Sequence, residues 1–256
     1  MNTILVVDDH EDILEFLKAV LSDSYQILTA SNGEEALKIL DEEMVHLIIS
    51  DVMMPLLDGF ELCQIVKSKV EYCHIPLILL TAKNTYKAKI EGLEVGADAY
   101  IEKPFSHQYL IKQIDNLLKN RAKIIDHFSN SPFEDVRVMA HSKTDELFLK
   151  KLNDYILDNL ESTSLDIDTL AYHMHMSRPT FYRKVKSISA LSRKALIDLT
   201  RLRKAAELLA TNDYKVYEIS KMVGYASQTV FGKNFQKHFK LTPMEYLSSL
   251  KEDNRT

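Results

Sequence analysis

TILVVDDHEDILEFL, residues Thr3 to Leu17, changes character twice within fifteen residues, and those two changes decide the fold. Thr3 to Val7 is a continuous β-branched and apolar run, the pattern of a strand buried on both faces rather than on one. Asp8 and Asp9 follow it at once. Beyond them Ile13, Leu14, Leu17, Val20 and Leu21 recur at helical spacing. A buried strand, a pair of carboxylates and an amphipathic helix in that order is one βα unit with charge at the carboxyl end of its strand.

The same unit recurs downstream. YQILTA (Tyr25 to Ala30), HLIIS (His46 to Ser50), PLILLTA (Pro76 to Ala82) and DAYIE (Asp98 to Glu102) read as four more strands. Ala36, Leu37, Ile39 and Leu40, then Leu62, Ile65 and Val66, supply helical stripes between them. Five such units with right-handed crossovers give a doubly wound (βα)5 parallel sheet. Its last helix spans roughly Ser106 to Arg121, and the weakly periodic Asp126 to Thr144 reads as a linker. From Asp145 onward only helix-period segments follow, among them FLKKLNDYILDNL, RPTFYRKVKSI, RKALIDLTRLRKAAELLA and QTVFGKNFQKHF. The fold class is therefore α/β plus all-α: residues 1–122, a linker over 123–149, and a helical domain over 150–250.

Composition excludes several classes. With 6 Gly, 6 Pro and 2 Cys in 256 residues, neither a collagen-like repeat nor a disulfide scaffold is possible, and Cys63 and Cys73 suit a reducing compartment. No apolar run approaches the roughly 20 residues of a membrane helix, and the start has neither basic leader nor cleavage site, so a cytoplasmic location is expected. The net charge of −5 is uninformative until divided. Residues 1–122 carry 11 basic and 20 acidic side chains, a net −9, and the remainder carries +4.

In a doubly wound sheet ligands bind outside the carboxyl ends of the strands. Asp8 and Asp9 follow the first strand, Asp51 the third, Thr81 ends the fourth and Lys103 follows the fifth. Any one of these aspartates alone could serve as a helix cap; together they are a rim of carboxylates that calls for a cation. An all-oxygen set with room for water suits Mg²⁺. Such a rim can transfer a phosphoryl group, with Asp51 as acceptor and Lys103 as a fixed positive charge. A phosphohydrolase with an aspartyl nucleophile needs a second Asp two residues on as proton shuttle, and Met53 stands there instead.

VVDDHEDI, SDVMMPLLDGFEL, LLTAKN and GADAYIEKPF resemble the signature blocks of two-component response regulator receiver domains, over about residues 3–122. The resemblance implies a flavodoxin-like fold, Asp51 as phosphoacceptor, and Mg²⁺ held by Asp9, Asp51 and the Met53 carbonyl, with Asp8 acting through water. It makes Thr81 and Tyr100 the switch pair and places Lys103 on the phosphoryl group, before a cis bond to Pro104. Gly59 suits a tight turn after Asp58, and Gly96 a left-handed helix cap.

Within Ser177 to Lys204 nine basic residues stand against one acid, Asp198, as a phosphate-binding surface requires. Leu170, Ala171 and Met174 stripe one helix and Phe181, Val185 and Ile188 the next, with a short turn between: a helix-turn-helix. Ser177 is placed to cap the second helix and Pro179 falls in its first turn. The face opposite Phe181 presents Pro179, Arg183 and Lys186, flanked by Thr180 and Tyr182, with Arg178 at the start. Arg183 is the best candidate for a guanine edge. An echo at an offset of 50 residues pairs Ser177 with Ser227, Phe181 with Phe231, Arg183 with Lys233 and Val185 with Phe235. In this second copy Phe231, Phe235 and Phe239 point inward, Ser227 and Gln228 stand at the helix start, and Gln228, Thr229 and Lys233 are expected at base edges with Lys237 at phosphate. His173 and His175 lie two apart without cysteines nearby and are read as ordinary residues, not zinc ligands.

MSRPTFYRKVKSISALS, RLRKAAELLA, ISKMVGYASQ and FGKNFQKHFKLTPMEYL make this half similar to AraC/XylS-type DNA-binding domains. The family pattern has glycine where this chain has His175, Ala190 and Lys240, positions at helix ends where φ > 0 costs a non-glycine residue about 1 kcal/mol or more.

Together the halves imply a regulator rather than an enzyme. Phosphorylation of Asp51 is expected to alter the surface formed by strand five and the helices on either side of it, to promote a homodimer, and to align two modules on double-stranded DNA. A cognate histidine kinase is the implied donor. The alternative is a phosphorelay intermediate whose helical half serves protein contacts. The domain order also resembles the C-terminal portion of hybrid regulators, where a sensor and kinase precede the receiver.

Overall fold

The computed structural model describes residues 1–82, 94–130, 140, 142–189 and 193–253. The chain divides into two compact units, one built mainly on Met1–Ile125 and one mainly on Glu146–Thr256.

The first unit is a five-stranded parallel sheet in the order β2-β1-β3-β4-β5, from strands β1 (Thr3–Val7), β2 (Gln26–Ala30), β3 (Leu47–Asp51), β4 (Leu77–Thr81) and β5 (Ala99–Glu102). Each lies within one or two residues of its expected position. Alternation along each strand explains why the runs must be apolar throughout. Leu5, Val7, Ile48, Leu77 and Leu79 face one side, where Ala36 and Leu40 of α2 (Gly33–Glu42) and Leu62 and Val66 of α3 (Gly59–Ser68) cover them. Ile4, Val6, Leu47, Ile49, Ile78 and Leu80 face the other, under Leu17 and Leu21 of α1 (Glu11–Leu21) and Leu110 and Ile114 of α4 (His107–Asn130). Two layers of helix thus bury both faces.

Local chemistry sets the helix starts. Asn32 caps α2 by accepting from the Glu35 amide, and Asp58 with Glu61 forms a reciprocal capping box on α3. Gly59 is required for a different reason from the turn expected of it. It is the first residue of α3, and a Cβ there would collide with the backbone carbonyl of Asp51. Gly96 does adopt the left-handed cap, at φ +85. Helix α4 runs to Asn130, past its expected end near Arg121, and the next helix begins at Lys143.

The second unit is wholly helical among the described residues: α5 (Lys143–Asp158), α6 (Ile167–His173), α7 (Arg178–Ser189), α8 (Arg193–Thr211), α9 (Val216–Met222), α10 (Gln228–Phe239) and α11 (Pro243–Asp253). The α6–α7 pair buries Leu170, Ala171, Phe181, Val185 and Ile188, and Phe148 of α5 packs on Phe181 with ring centroids 6.2 Å apart. The α9–α10 pair buries Ile219, Val223, Phe231 and Phe235 against Leu202, Ala205, Ala206 and Leu209 of α8. His175 and Lys240 both take left-handed backbone, at φ 55 and 63, as their helix-end positions demand; Ala190 lies outside the described residues. His175 and Gly224 occupy equivalent caps, each followed by an amide that reaches back five residues: Met176 to Ala171 at 3.0 Å and Tyr225 to Ser220 at 2.9 Å.

Candidate functional site

The sheet brings the acidic rim together as its topology requires. β1 and β3 are neighbours, so Asp8, just past Val7, and Asp51, the last residue of β3, end up side by side. Asp8 and Thr81 are fully buried and Asp51 is 6% exposed. Lys103, one residue past β5, sends its ammonium between the two carboxylates, 2.6 Å from Asp51 Oδ1 and 2.8 Å from Asp8 Oδ2. Burial works against the charge on Lys103, but the hydrogen bonds to Asp51 and then Asp8 outweigh it and raise the lysine above its ordinary range. The second oxygen of Asp51 accepts the Met53 amide at 2.7 Å. The Lys103–Pro104 bond is cis.

Asp9 is more open and meets a residue that sequence reasoning passed over. His10 Nδ1 lies 2.9 Å from Asp9 Oδ1 and 3.2 Å from Asp8 Oδ1, and its amide donates to Asp8 at 3.0 Å. The hydrogen bond to Asp8, then the charges of Asp9 and Asp8, push the imidazole above its ordinary pKa. Its position directly after the aspartate pair was the available signal. Asp8, Asp9 and His10 each offer a ligand atom within 4.8 Å of the others. The carboxylates of Asp8, Asp9 and Asp51, with Asp9 the more open, are a hard-oxygen donor set of the kind that fits Mg²⁺.

Thr81 and Tyr100 stand on adjacent strands, with Leu79 opposite Tyr100 and Thr81 opposite Glu102. The Tyr100 ring packs on the core, and among the described residues its hydroxyl is buried without a hydrogen-bond partner. Met54 is buried in the core while Met53 is 55% exposed. The helix expected between β4 and β5, part of the anticipated dimer face, lies outside the described residues.

In the second unit, α7 and α10 carry the residues expected at DNA. The Thr180 amide donates to Ser177 Oγ at 3.3 Å, which is the anticipated cap. Arg178, Pro179 and Lys186 are exposed and Thr180, Tyr182 and Arg183 half-exposed. Arg178 pairs with Asp168 of α6 at 2.7 Å, and the Lys186 ammonium lies 5.6 Å from the Tyr182 ring centroid. On α10, Ser227, Gln228, Thr229, Lys233 and Lys237 are all exposed, although Ser227 makes no side-chain cap. Among the basic residues whose side chains are described, Lys184 and Arg201 leave that surface. Lys184 is fully buried with its ammonium 5.6 Å from the Phe148 ring centroid, and Arg201 is 8% exposed. His173 stacks on Tyr155 at 3.8 Å. No helix among the described residues is long and apolar enough to cross a membrane.

Comparison with known proteins bears on both units. A family model described as response regulator receiver domain matches residues 4–115, and one described as helix-turn-helix domain matches residues 170–249. The chain is 38% identical over 251 residues to "Histidine kinase P4" of Formosa agariphila, covering 98% of this chain and 18% of that one. It is 31% identical over 211 residues to "Probable transcriptional regulator ycf27" of Porphyridium aerugineum, covering 80% of this chain and 87% of that one. The crystal structure of the receiver domain of a signal transduction histidine kinase from Syntrophus aciditrophicus is 37% identical and covers 47% of this chain and 92% of its own, with a TM-score of 0.45. The chain thus spans less than a fifth of the kinase it matches and most of the regulator.

Proposed function

The chain belongs to the two-component transcriptional regulators, joining a response regulator receiver domain to an AraC-type helix-turn-helix domain, and on that premise we propose that Asp51 accepts a phosphoryl group and that its phosphorylation controls binding of the helical half to double-stranded DNA. The observation that carries this reading is the Lys103 ammonium held between Asp51 and Asp8.

A phosphohistidine of a cognate kinase is the donor. An Asp51 carboxylate oxygen forms the new bond to phosphorus as the donor's P–N bond breaks, and the imidazole leaves with a proton. Asp9, Asp51 and the Met53 carbonyl, helped by Asp8, would hold Mg²⁺, which when bound would supply positive charge to offset the charge of the transferring phosphoryl group. Lys103 is already aimed at the acceptor and needs little movement to bond the phosphoryl group. Thr81, at the end of the adjacent strand, supplies a hydroxyl to it. Once Thr81 is drawn toward the phosphoryl group, Tyr100, whose hydroxyl has no partner among the described residues, repacks and changes the surface around β5. That surface pairs two copies, and the paired copies bring two helical domains to DNA.

In the helical domain Arg183 and its neighbours Arg178, Pro179, Thr180, Tyr182 and Lys186 face one major groove, and Ser227, Gln228, Thr229, Lys233 and Lys237 the next, about 34 Å along the duplex. The domains assigned are a receiver over 1–122, a connecting segment over 123–149 and a DNA reader over 150–250.

Acetyl phosphate with Mg²⁺ should phosphorylate the chain, Asp51→Asn should not be modified, and phosphorylation should tighten binding to a duplex selected from a random pool at least tenfold. Equal labelling of Asp51→Asn would overturn the acceptor assignment. Absence of salt-dependent DNA binding in both states would overturn the DNA reading and favour a relay role.

A further inference from the structure

Arg201 lies on α8, the helix shared by both helix-turn-helix pairs, and it is turned inward rather than toward a phosphate. It is 8% exposed. Its Nη2 donates to the Ser162 carbonyl at 2.6 Å, in the turn that leads from α5 into the first helix-turn-helix pair. On the other side its guanidinium carbon stands 6.0 Å from the ring centroid of Tyr225, in the turn between the helices of the second pair. Tyr225 is fixed in turn, because its hydroxyl donates to Asp198 Oδ1 at 3.0 Å, on α8 just before Arg201. Gly224 closes the joint. A Cβ there would collide with the Leu160 carbonyl and stand 2.7 Å from Arg201 Nη2, so the second turn lies directly against the Leu160–Ser162 segment.

Burying a guanidinium is a poor route to stability. Its desolvation is costly, Nε is buried without a partner among the described residues, and an apolar side chain of similar volume would pack there at no such cost. A fork bonded to one carbonyl and stacked on one ring supplies direction instead. A second polar contact of α8, from Thr200 to Asn153 of α5, is longer, at 3.5 Å.

We propose that Arg201 is a positioning residue which, without touching DNA, locks the two helix-turn-helix pairs at one separation and so sets the spacing between half-sites that this chain accepts. The proposal rests on the DNA-binding reading for its consequence but not for its structural content.

The full chain is tested in two ways. Nitroxide labels on Lys186→Cys and Lys237→Cys, both exposed, should give one narrow distance distribution by electron–electron dipolar spectroscopy. Arg201→Met should broaden that distribution at least twofold, and Arg201→Lys, which keeps the charge but not the fork, should do so to a smaller extent while retaining the wild-type circular dichroism spectrum. A distribution as narrow in both variants as in wild type overturns the proposal even if DNA is never bound. The second test uses duplexes selected by the wild-type chain, then altered by inserting base pairs between the half-sites. Insertion of two base pairs should weaken wild type at least tenfold and Arg201→Lys less than threefold, with isolated half-sites bound equally by both. A variant that keeps the wild-type spacing preference, or loses half-site and full-site affinity in equal measure, overturns it as well.

Discussion

Lys103 Nζ lies 2.6 Å from Asp51 Oδ1, and the same ammonium is 2.8 Å from Asp8 Oδ2, so one cation satisfies two carboxylates that are almost wholly buried. Burying either carboxylate without a partner would carry a large desolvation cost. The lysine therefore holds the site together before any ligand arrives, and it is also the group nearest to where a phosphoryl oxygen on Asp51 would form.

Replacing that cation separates the two roles. Lys103→Met should destabilise the first unit by on the order of 2–4 kcal/mol in EDTA, because truncating one member of a buried ionic cluster leaves the others uncompensated. Millimolar Mg²⁺ should restore a larger share of stability to the variant than it adds to wild type, since only the variant has lost its own cation. Urea denaturation with and without Mg²⁺ measures both effects, and equal midpoint shifts in the two proteins would refute the argument.

Gly59 and Gly232 make opposite predictions from the same substitution. A Cβ on Gly59 meets the carbonyl of Asp51, which is backbone at the phosphoacceptor itself. Gly59→Ala should cost on the order of 2 kcal/mol or more and slow modification by acetyl phosphate. Gly232 lies inside α10 with nothing within 4 Å of an added Cβ. Gly232→Ala should instead stabilise the helical unit by about 0.5–1 kcal/mol, through the backbone entropy it removes from the unfolded chain. Calorimetric melting distinguishes the two signs.

The central strands β1, β3 and β4 are legible in the sequence because both their faces are buried, which makes their runs almost wholly apolar. The rim is legible for a related reason: Asp8 and Asp51 are the first charges to end the apolar runs of β1 and β3, and Lys103 follows Glu102 at the end of β5. His10 is not, because its importance comes from a loop that folds its imidazole back over Asp8 and Asp9. Gly59 is legible as a glycine but not as a contact, since the collision lies with a residue eight positions away across a turn. Charge counting fails most on α7 and α8. Lys184 and Arg201 have the composition of a DNA-binding surface, and only the packing of Phe148 and Tyr225 shows that both point inward. The equivalence of His175 and Gly224 shows the converse. Both take left-handed backbone, but only Gly224 faces a neighbouring carbonyl, so only there is glycine demanded by space as well as by φ.

Cys63 supplies a pH test with a defined sign. Burial pushes its thiol from an ordinary 9.0 up to about 11, opposed by Lys67 and reinforced by Asp98. The folded state keeps the thiol neutral where the unfolded chain ionises it. Its contribution is therefore complete below pH 9 and is lost as pH rises through about 11. The stability gap between wild type and Cys63→Ala should narrow by on the order of 1–2 kcal/mol between pH 8 and pH 11, because the difference cancels every other titrating group. A gap constant across that range would contradict the shift. Below pH 9 the native thiol should also resist alkylation until the first unit unfolds.

Arg183 and Lys237 are predicted to fail differently at DNA. Arg183, half-exposed on α7 with its Nη2 3.5 Å from Thr180 Oγ1, is the residue proposed to fork onto a base edge. Arg183→Ala should weaken binding to the selected duplex by about 1–3 kcal/mol and relax preference at one base pair, leaving affinity for unrelated sequences little changed. Lys237, exposed in the last turn of α10, carries a charge suited to phosphate. Lys237→Ala should weaken binding to all sequences about equally and reduce the salt slope by about one. Anisotropy titrations over a salt series, on the selected duplex and on single-base variants, separate the two. If both substitutions lowered the salt slope and left base preference intact, α7 would be a phosphate clamp rather than a reader, and sequence recognition would belong to α10 alone.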